Sequence, residues 1–331
     1  MTSIGARSPA VKGVTPYIAG GKSALRGKFR IFVEALCPTS GGATTAPSRG
    51  SCIKSIIDRR MKSRRILYIS QEIFPYLPES DIATTARQLP QGIQELGNDI
   101  RIFMPRFGVI NERRNQLHEV IRLSGINMII NNNDHPLIIK VASLPTARLQ
   151  VYFIDNDDFF KRKTMYDIKP KQENDNDERA IFFVRGALEA IKKLRWIPDV
   201  IHCHGWFTAL AALYLKKMYA DDPCLQKAKV VYSVYDDAGQ GVIPETLFGK
   251  LGFDKITPDD LSVMEQSSDY LALNRLAIRY ADGVIQGSET IAPELTDYIS
   301  SLEGKAFLPY QGKEDYEEAF DNFYTALLTA N

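Results

Sequence analysis

The stretch Pro198-Asp199-Val200-Ile201-His202-Cys203-His204-Gly205-Trp206 places a short β-branched run directly before an apolar, helix-like segment. Two of the four histidines in the chain stand where the strand gives way to the helix. A strand followed by a packed helix is the repeating unit of a parallel α/β sheet, and such sheets bind ligands beyond the carboxyl ends of their strands. The stretch therefore predicts a fold class and the edge of the sheet where functional residues should lie.

The same alternation continues on both sides of this stretch. The predicted strands are residues 66–70, 100–104, 137–142, 149–154, 200–202, 230–235 and 284–286. The predicted helices are residues 84–96, 178–194, 207–219, 270–280, 290–300 and 316–328. Residues 117–133 are ambiguous and are expected to add antiparallel strands. We predict an α/β fold, a single Rossmann-like domain with a mainly parallel sheet and helices on both faces.

The last predicted helix carries one apolar stripe, which is expected to cover the protein's own sheet rather than a partner. The stripe consists of Tyr316, Phe320, Phe323 and Leu327.

Residues 1–60 differ in charge from the rest of the chain. They carry 10 Lys/Arg and 2 Asp/Glu, a net charge of +8, which leaves a net charge of −7 for residues 61–331. We expect a disordered basic extension, either translated upstream of a native start at Met61 or resembling a transit peptide. Residues 61–331 are the predicted domain, and their acidic balance gives no electrostatic basis for binding nucleic acid.

Composition also argues against membrane and disulfide-rich classes. No run approaches the about 18 consecutive apolar residues of a spanning helix, so no membrane association is expected. The four cysteines show no CxxC spacing, and we expect reduced thiols and a cytoplasmic location. Targeting of an organelle by residues 1–60 is the alternative.

His202, His204 and Trp206 are the candidates that the residues themselves offer at the strand end. We expect the two imidazole rings to face opposite sides of the sheet, which makes a shared metal awkward, and no third ligand is spaced nearby. No metal is therefore expected. His202 should pack under the following helix, His204 should face the cleft, and Trp206 is either a core residue or a platform for a sugar.

Several motifs resemble, in chain order, the amino-terminal domain of bacterial glycogen synthases and plant starch synthases. Residues 66–75 resemble the family's opening strand and loop, and Asp175-Asn176 with Arg179 resembles its Asp-Asn-x-x-Arg. The stretch at residues 198–206 resembles its Pro-Asp-Val-Val-His-x-His-Asp-Trp, the most specific match. The resemblance covers about residues 65–299 and implies the amino-terminal half of a GT-B fold.

The resemblance also implies a reaction and a site. Family members transfer glucose from ADP-glucose to an α-1,4-glucan without a metal or other cofactor, and the amino-terminal domain supplies mainly the acceptor side. The implied substrate-binding residues are Glu72, His204, Trp206, Asp236 and Gln240. No catalytic residue is assigned. The implied partners are an α-glucan or oligosaccharide and, as a further alternative, a separate chain carrying the second domain.

The sequence departs from the family where the donor's phosphates would be held. Pro78-Glu79-Ser80-Asp81-Ile82 replaces Lys-Thr-Gly-Gly-Leu, so a lysine is lost and two carboxylates that repel a diphosphate are gained. Residues 233–241 lack the His, Asn and Tyr of the family's Thr-x-His-Asn-x-x-Tyr-Gln-Gly, and Gly205 replaces an Asp. After the last matched strand, the remaining residues are too few for a second domain.

Three hypotheses follow from this mixture of matches and departures. The first is a glycogen/starch synthase-like glycosyltransferase domain that is catalytically incomplete by itself. The second is a non-catalytic glucan-binding or regulatory relative of such a synthase. The third is a nucleotide-binding module unrelated to glucan. Whether the chain is an enzyme stays open at this point.

Overall fold

A mixed sheet of ten strands runs through the part of the protein that the structure describes. The structure is a computed structural model and describes residues 63–145, 147–166, 174–237, 243–312, 314 and 316–330. The expected basic extension at residues 1–60 and the expected ligand residue Gln240 lie outside the described residues.

The strands follow the predicted order. They are β1 (Arg65–Ser70), β2 (Asp99–Pro105), β3 (His118–Glu119), β4 (Ile126–Ile130), β5 (Asn133–Ser143), β6 (Gln150–Asp155), β7 (Val200–His204), β8 (Lys229–Val234), β9 (Gly283–Gln286) and β10 (Ala306–Leu308). The seven predicted strands are confirmed. The ambiguous residues 117–133 form β3 and β4, both antiparallel to β5.

The helices connect these strands. They are α1 (Asp81–Glu95), α2 (Asp157–Phe160), α3 (Asn176–Lys193), α4 (Leu210–Lys216), α5 (Leu247–Gly252), α6 (Tyr270–Tyr280), α7 (Pro293–Ser301) and α8 (Glu317–Thr329), with 3-10 turns at Trp206–Thr208 and Pro258–Met264.

The strand order places a reversal at the centre of the sheet. The order is β10-β9-β8-β7-β1-β2-β6-β5-β3, and the strands from β10 to β6 are parallel. After β1 the chain adds β2 and β6 on one side of the sheet, and after β7 it adds β8, β9 and β10 on the other side. Every residue of β7 is buried, so both faces of the sheet are covered, as the α/β prediction requires. In such sheets a crevice opens where the order reverses, here at the carboxyl ends of β1 and β7.

The helix predicted over residues 207–219 is wrong as a single element. The segment begins with the 3-10 turn Trp206–Thr208, and α4 ends at Lys216. Gly205, at φ 83°, turns the chain sharply out of β7, and the Thr208 hydroxyl donates to the Gly205 carbonyl oxygen at 2.8 Å. This bond holds the tight first turn.

The start of α1 was predicted three residues too late. Ser80 adopts an extended backbone, and its hydroxyl accepts a hydrogen bond from the Ala83 N–H at 3.0 Å. This N-cap satisfies one of the free amides at the helix start, so the helix begins at Asp81. Helix α1 thereby rises from the same edge of the sheet as the crevice.

The apolar stripe of α8 faces the protein's own sheet, as predicted, and all four of its residues are buried. Polar contacts fix the helix in addition. Asp321 forms an ion pair with Arg64 and accepts from the Asn98 side-chain amide at 3.1 Å. Helix α8 is therefore an integral layer of the fold, and Asp321 attaches it near the amino ends of β1 and β2.

Candidate functional site

Two carboxylates and one amide form a polar cluster at the strand order reversal. The Gln71 amide nitrogen donates to Glu72 Oε1 at 3.4 Å and to Asp237 Oδ2 at 3.3 Å. Glu72 also accepts from the Tyr166 hydroxyl at 3.4 Å, and Asp237 accepts from the Trp206 N–H at 3.3 Å. All of these side chains are buried. The cluster is held by β1, by the turn after β7 and by the end of β8.

Burial sets the charge state of the two carboxyl groups. It raises the pKa of Glu72 above its ordinary value. The pKa of Asp237 is raised to about 7, mainly by burial and also by the neighbouring Glu72 carboxylate, although the hydrogen bond from the Trp206 N–H lowers it. Near neutral pH the Asp237 carboxyl group is therefore only partly ionised.

Gly205 leaves room for the Gln71 side chain. A Cβ at position 205 would overlap the Gln71 amide, and the residue's φ of 83° also favours glycine. Gln71 Oε1 accepts from the Phe207 N–H at 2.9 Å. This chain therefore has glycine where the family has Asp, and the side chain of Gln71 fills the space and binds the turn.

The expectation that His202 and His204 face opposite sides of the sheet is wrong. Their ring centroids are 4.0 Å apart, because β7 continues through His204 and residues two apart in a strand share a face. Burial lowers the pKa of His204 to about 3 and that of His202 well below its ordinary value. Both imidazoles are therefore neutral near pH 7.

His202 is buried and hydrogen-bonded, as predicted, but the covering helix is α8 rather than the next helix in the chain. Its Nδ1 lies 2.8 Å from the Tyr324 hydroxyl, and its Nε2 lies 2.7 Å from Ser233 Oγ. The Tyr324 hydroxyl also lies 3.2 Å from that of Tyr68. With both ring nitrogens occupied, His202 has a structural role.

His204 is fully buried instead of facing the cleft. Its Nδ1 lies 2.8 Å from the Tyr235 hydroxyl, while its Nε2 has no hydrogen-bond partner within the described residues. Trp206 lies in the core and packs on Tyr166 with a ring-centroid distance of 5.2 Å. These positions fit the core interpretation of Trp206 that the sequence left open.

A cleft of about 310 Å³ opens beside the polar cluster, at the same edge of the sheet. It lies between the start of α1, the end of β9 and the chain leading into α8. Its lining residues are Glu79, Ser80, Asp81, Thr84, Thr85, Gln88, Gln286, Gly287, Tyr310, Gln311, Gly312, Tyr316 and Phe320. Residues 79–81 of the altered loop therefore form one side of this cleft.

The buried cluster supports the lining of the cleft from behind. Ser80 donates its hydroxyl proton to Glu72 Oε2 at 2.8 Å. Thr85 hydrogen-bonds the Tyr235 hydroxyl, which in turn bonds His204. Glu72 and His204 thus lie one and two hydrogen-bonding steps behind the cleft surface.

The predicted substrate-binding residues therefore separate into three groups. Glu72, His204 and Trp206 are brought together but are buried, Asp236 is exposed, and Gln240 lies outside the described residues. Their contact with a substrate stays a prediction. Sequence reasoning missed the lining residues Gln286 and Tyr310. The first ends a predicted strand and could have been found, whereas the second lies beyond every family motif.

Two buried arginines, one after β2 and one on α3, are already engaged within the protein. Arg106 pairs with Asp155 at 3.2 Å and with Glu112 at 2.6 Å. Arg179 is buried, donates to the Phe159 carbonyl oxygen at 2.9 Å, and its burial lowers its pKa to about 10. Neither guanidinium lines the cleft. The cleft therefore suits neutral hydroxyl-bearing ligands better than phosphates.

Metal and membrane features were searched over the same described residues. They contain no group of three or more His, Cys, Asp or Glu side chains arranged to hold a metal ion. None of their helices combines the length and apolar composition needed to cross a membrane.

Comparison with known proteins gives a consistent set of relatives. The family model described as "Starch synthase catalytic domain" matches residues 65–307. The glycogen synthase of Chlorobaculum tepidum is 35% identical over 235 residues, covering 70% of this chain and 47% of the relative. The glycogen synthase of Chlorobium phaeovibrioides is 34% identical with the same coverage. The chain spans about half the length of the curated relatives it matches.

A solved structure is similar to this chain as well. The catalytic domain of starch synthase IV from Arabidopsis thaliana, bound to ADP and acarbose, superposes with a TM-score of 0.63 at 22% identity. The match covers 78% of this chain and 53% of that chain. At this identity the similarity establishes a shared fold.

Proposed function

Because the chain belongs to the family of starch synthase catalytic domains, we propose that it is a synthase-type domain that acts on α-1,4-glucan without completing glucose transfer from ADP-glucose by itself. The proposal has two parts. The glucan side is that the chain acts on α-1,4-glucan, and the donor side is that it does not complete glucose transfer from ADP-glucose by itself. Different residues support each side.

The observation that carries the donor side is the position of Glu79 and Asp81 on the cleft. They stand where the family's lysine-containing loop would meet the donor's phosphates. A carboxylate beside a diphosphate is repulsive, and electrostatic stabilisation of a developing charge is a large part of most enzymatic rate enhancements. Arg106 does not compensate, because Asp155 and Glu112 already pair with it.

The glucan side is supported by the uncharged polar groups of the strand-end region. Threonine hydroxyls and glutamine amides line the cleft, and such groups both donate and accept hydrogen bonds as sugar hydroxyls require. The neutral imidazoles behind the cleft add no charge that would favour an anion.

Three measurements on the purified full chain test the proposal. The protein should co-sediment with glycogen. Calorimetry with ADP-glucose should give no saturable heat. Incubation of the protein with glycogen and labelled ADP-glucose should transfer no labelled glucose. Transfer by the chain alone would refute the donor side. Failure to sediment with glycogen, or with any α-glucan tested, would refute the glucan side.

The compartment is a further part of the proposal. Cys203 and Cys224 are both free thiols, which supports a reducing compartment such as the cytoplasm. Alkylation of both thiols after denaturation of protein isolated without reductant would support this, and recovery of oxidised thiols would contradict it.

A further inference from the structure

Two adjoining pockets lie on the sheet away from the crevice, near the amino ends of β2 and β6. The first, the β3 pocket, has a volume of about 360 Å³ and is lined by residues of β3 and of the end of β5. The second, the β2 pocket, has a volume of about 290 Å³ and is lined by the starts of β2 and β6. Ser143 and Gln150 line both pockets, so the two form one continuous surface. Among the described residues, none is shared with the cleft beside the polar cluster.

Strand pairing brings polar groups of both pockets to one face of the sheet. Residues directly opposite in neighbouring strands point to the same side, as do residues two apart in one strand. The registers of β3 with β5, β5 with β6 and β6 with β2 therefore place four polar residues on a single face: His118, Ser143, Gln150 and Arg101. Arg148 joins them from the turn between β5 and β6.

The side chains in these pockets that can be charged near neutral pH are basic. Arg114 and His118 line the β3 pocket, Arg101 and Arg148 line the β2 pocket, and no Asp or Glu of the described chain lines either one. Residues 61–331 as a whole carry a net charge of −7. The cations are therefore concentrated here against the overall balance, which creates a local positive potential.

One guanidinium in each pocket is unpaired. Arg114 and Arg148 are exposed, and neither side chain forms an ion pair or a hydrogen bond with any residue that the structure describes. Arg101 differs, because it pairs with Asp99 at 3.3 Å and its Cζ lies 5.5 Å from the centre of the Trp196 ring. Each pocket therefore offers one uncompensated positive charge to a ligand.

The backbone that carries these two arginines is held in place. The Arg114 N–H donates to Asn111 Oδ1 at 2.9 Å, and the Asn115 side chain donates to the Asn111 carbonyl oxygen at 2.9 Å, which closes the turn. The Arg148 carbonyl oxygen accepts from the Gln94 side chain at 3.4 Å. A ligand then has to order mainly the two side chains, which limits the entropy lost on binding.

Two separate guanidinium groups match a ligand with two separate phosphate groups. A guanidinium binds phosphate through two parallel hydrogen bonds, and a phosphate monoester carries nearly two negative charges near neutral pH. At the border of the two pockets, the Ser143 hydroxyl and the Gln150 amide can donate to and accept from hydroxyl groups. The arrangement therefore fits a sugar with a phosphate at each end. ADP-glucose fits poorly, because its two phosphates adjoin each other and do not extend into both pockets.

We propose that the two pockets form a site for a sugar bisphosphate, with Arg114 binding one phosphate, Arg148 binding the other, and Ser143 and Gln150 contacting the sugar between them. A ligand held near the amino ends of the strands leaves the cleft at their carboxyl ends open. The site is therefore independent of the proposed function, which concerns a neutral glucan and glucose transfer.

Calorimetry with glucose 1,6-bisphosphate on the full chain at low salt tests the site. The wild type should give a saturable heat. Arg114→Gln and Arg148→Gln should each weaken binding about five- to tenfold, because each removes the charge of one pocket, and the two together should abolish the heat. The matched control combines Lys227→Gln with Arg279→Gln, which removes two exposed charges outside both pockets and should change the affinity less than about twofold. Circular dichroism establishes that each variant is folded.

Two further ligands show whether both pockets take part. Glucose 6-phosphate should bind about tenfold more weakly than the bisphosphate or worse, because it engages a single arginine. ADP-glucose should give no saturable heat. Equal affinities for the two glucose phosphates would overturn the proposal, because a single pocket would then account for the binding.

Other results would also contradict the site. They are the absence of heat from the wild type with the bisphosphate at concentrations that detect millimolar binding, and an equal loss of affinity in the control pair and the pocket pair. A saturable heat with ADP-glucose that the pocket pair removes would show a general anion site and would exclude the selectivity proposed for a bisphosphate. Sedimentation with glycogen is unaffected by any of these results, so the proposed function is judged separately.

Discussion

Gly205 and Gln71 are sterically coupled: the glutamine side chain occupies the space that any side chain at position 205 would need. The Gln71 amide also joins Glu72 to Asp237, and its oxygen accepts from the turn that follows Gly205. One side chain therefore organises the polar cluster, and it does so only because residue 205 has no Cβ.

The first prediction follows from this coupling. Gly205→Ala should lower the free energy of unfolding by about 2–4 kcal/mol, because it combines a strained φ with an overlap against Gln71. The control is Gly97→Ala, whose φ of 95° is also positive but whose Cβ would meet nothing within 4 Å. It should cost only about 1 kcal/mol. Urea denaturation of both variants measures the difference.

Adding Gln71→Ala to Gly205→Ala completes the test. The double variant should be more stable than the sum of the single losses predicts, by about 1 kcal/mol or more, since the overlap is then removed. Strict additivity would show that the two positions are independent.

The second prediction concerns the pH dependence of stability. Asp237 has a pKa of about 7 in the folded protein, compared with about 3.9 in an unfolded chain. Between these values the folded state keeps a proton that the unfolded state has lost. The contribution of Asp237 to the free energy of unfolding should therefore fall as pH rises from about 4 to about 7, by up to about 4 kcal/mol, and level off above that range.

Asp237→Asn removes this titration while leaving an oxygen that accepts hydrogen bonds. As pH rises from about 4 to about 7, the wild type should therefore lose stability relative to the variant. Because Glu72 and Asp237 interact, the substitution also changes the titration of Glu72, so the pH-dependent difference reports the coupled pair. Denaturation curves collected from pH 4.5 to 8 decide the matter, and a pH-independent difference would contradict the prediction.

The third prediction concerns the attachment of α8. Tyr324→Phe removes the hydroxyl that bonds both His202 and Tyr68 inside the core, which should cost about 1–2 kcal/mol of stability. Tyr316→Phe, on the same helix, loses a hydrogen bond of 3.3 Å to exposed Gln88 and should cost less than about 0.5 kcal/mol. Equal losses in chemical denaturation would mean that the buried hydroxyl has no special role.

Most of the sheet could be predicted because its central strands are buried on both faces. Such strands are nearly continuous apolar runs, and β1 and β8 stand out in the sequence for that reason. The three-residue strand β10 has no comparable signal, since it lies at an edge and is only partly buried. Local turn geometry after Gly205 also could not be read from helical spacing alone.

The candidate site was predictable in position but not in accessibility. Sequence reasoning selected Glu72 and His204 because they follow strands, and the structure does place them at the strand order reversal. Their burial results from tertiary contacts with Ser80, Tyr166 and Tyr235, which no local pattern reveals. Tyr310 was missed because its relevance depends on the chain returning to the start of α1.

The last prediction tests whether the acidic loop discriminates against the nucleotide sugar. At low salt, converting Glu79→Gln and Asp81→Asn together should produce a saturable heat with ADP-glucose that the wild type lacks, because it removes two like charges from the cleft that would receive the diphosphate. Maltotriose affinity should change little, since amides also bind hydroxyls. The control pair Glu303→Gln and Asp297→Asn changes the net charge equally on exposed positions outside the cleft. Titrations at low and high ionic strength should show the gain for the cleft pair alone, and the gain should shrink as salt screens the remaining charges. An equal gain in the control pair would mean that overall charge, rather than Glu79 and Asp81, governs the response to the anion.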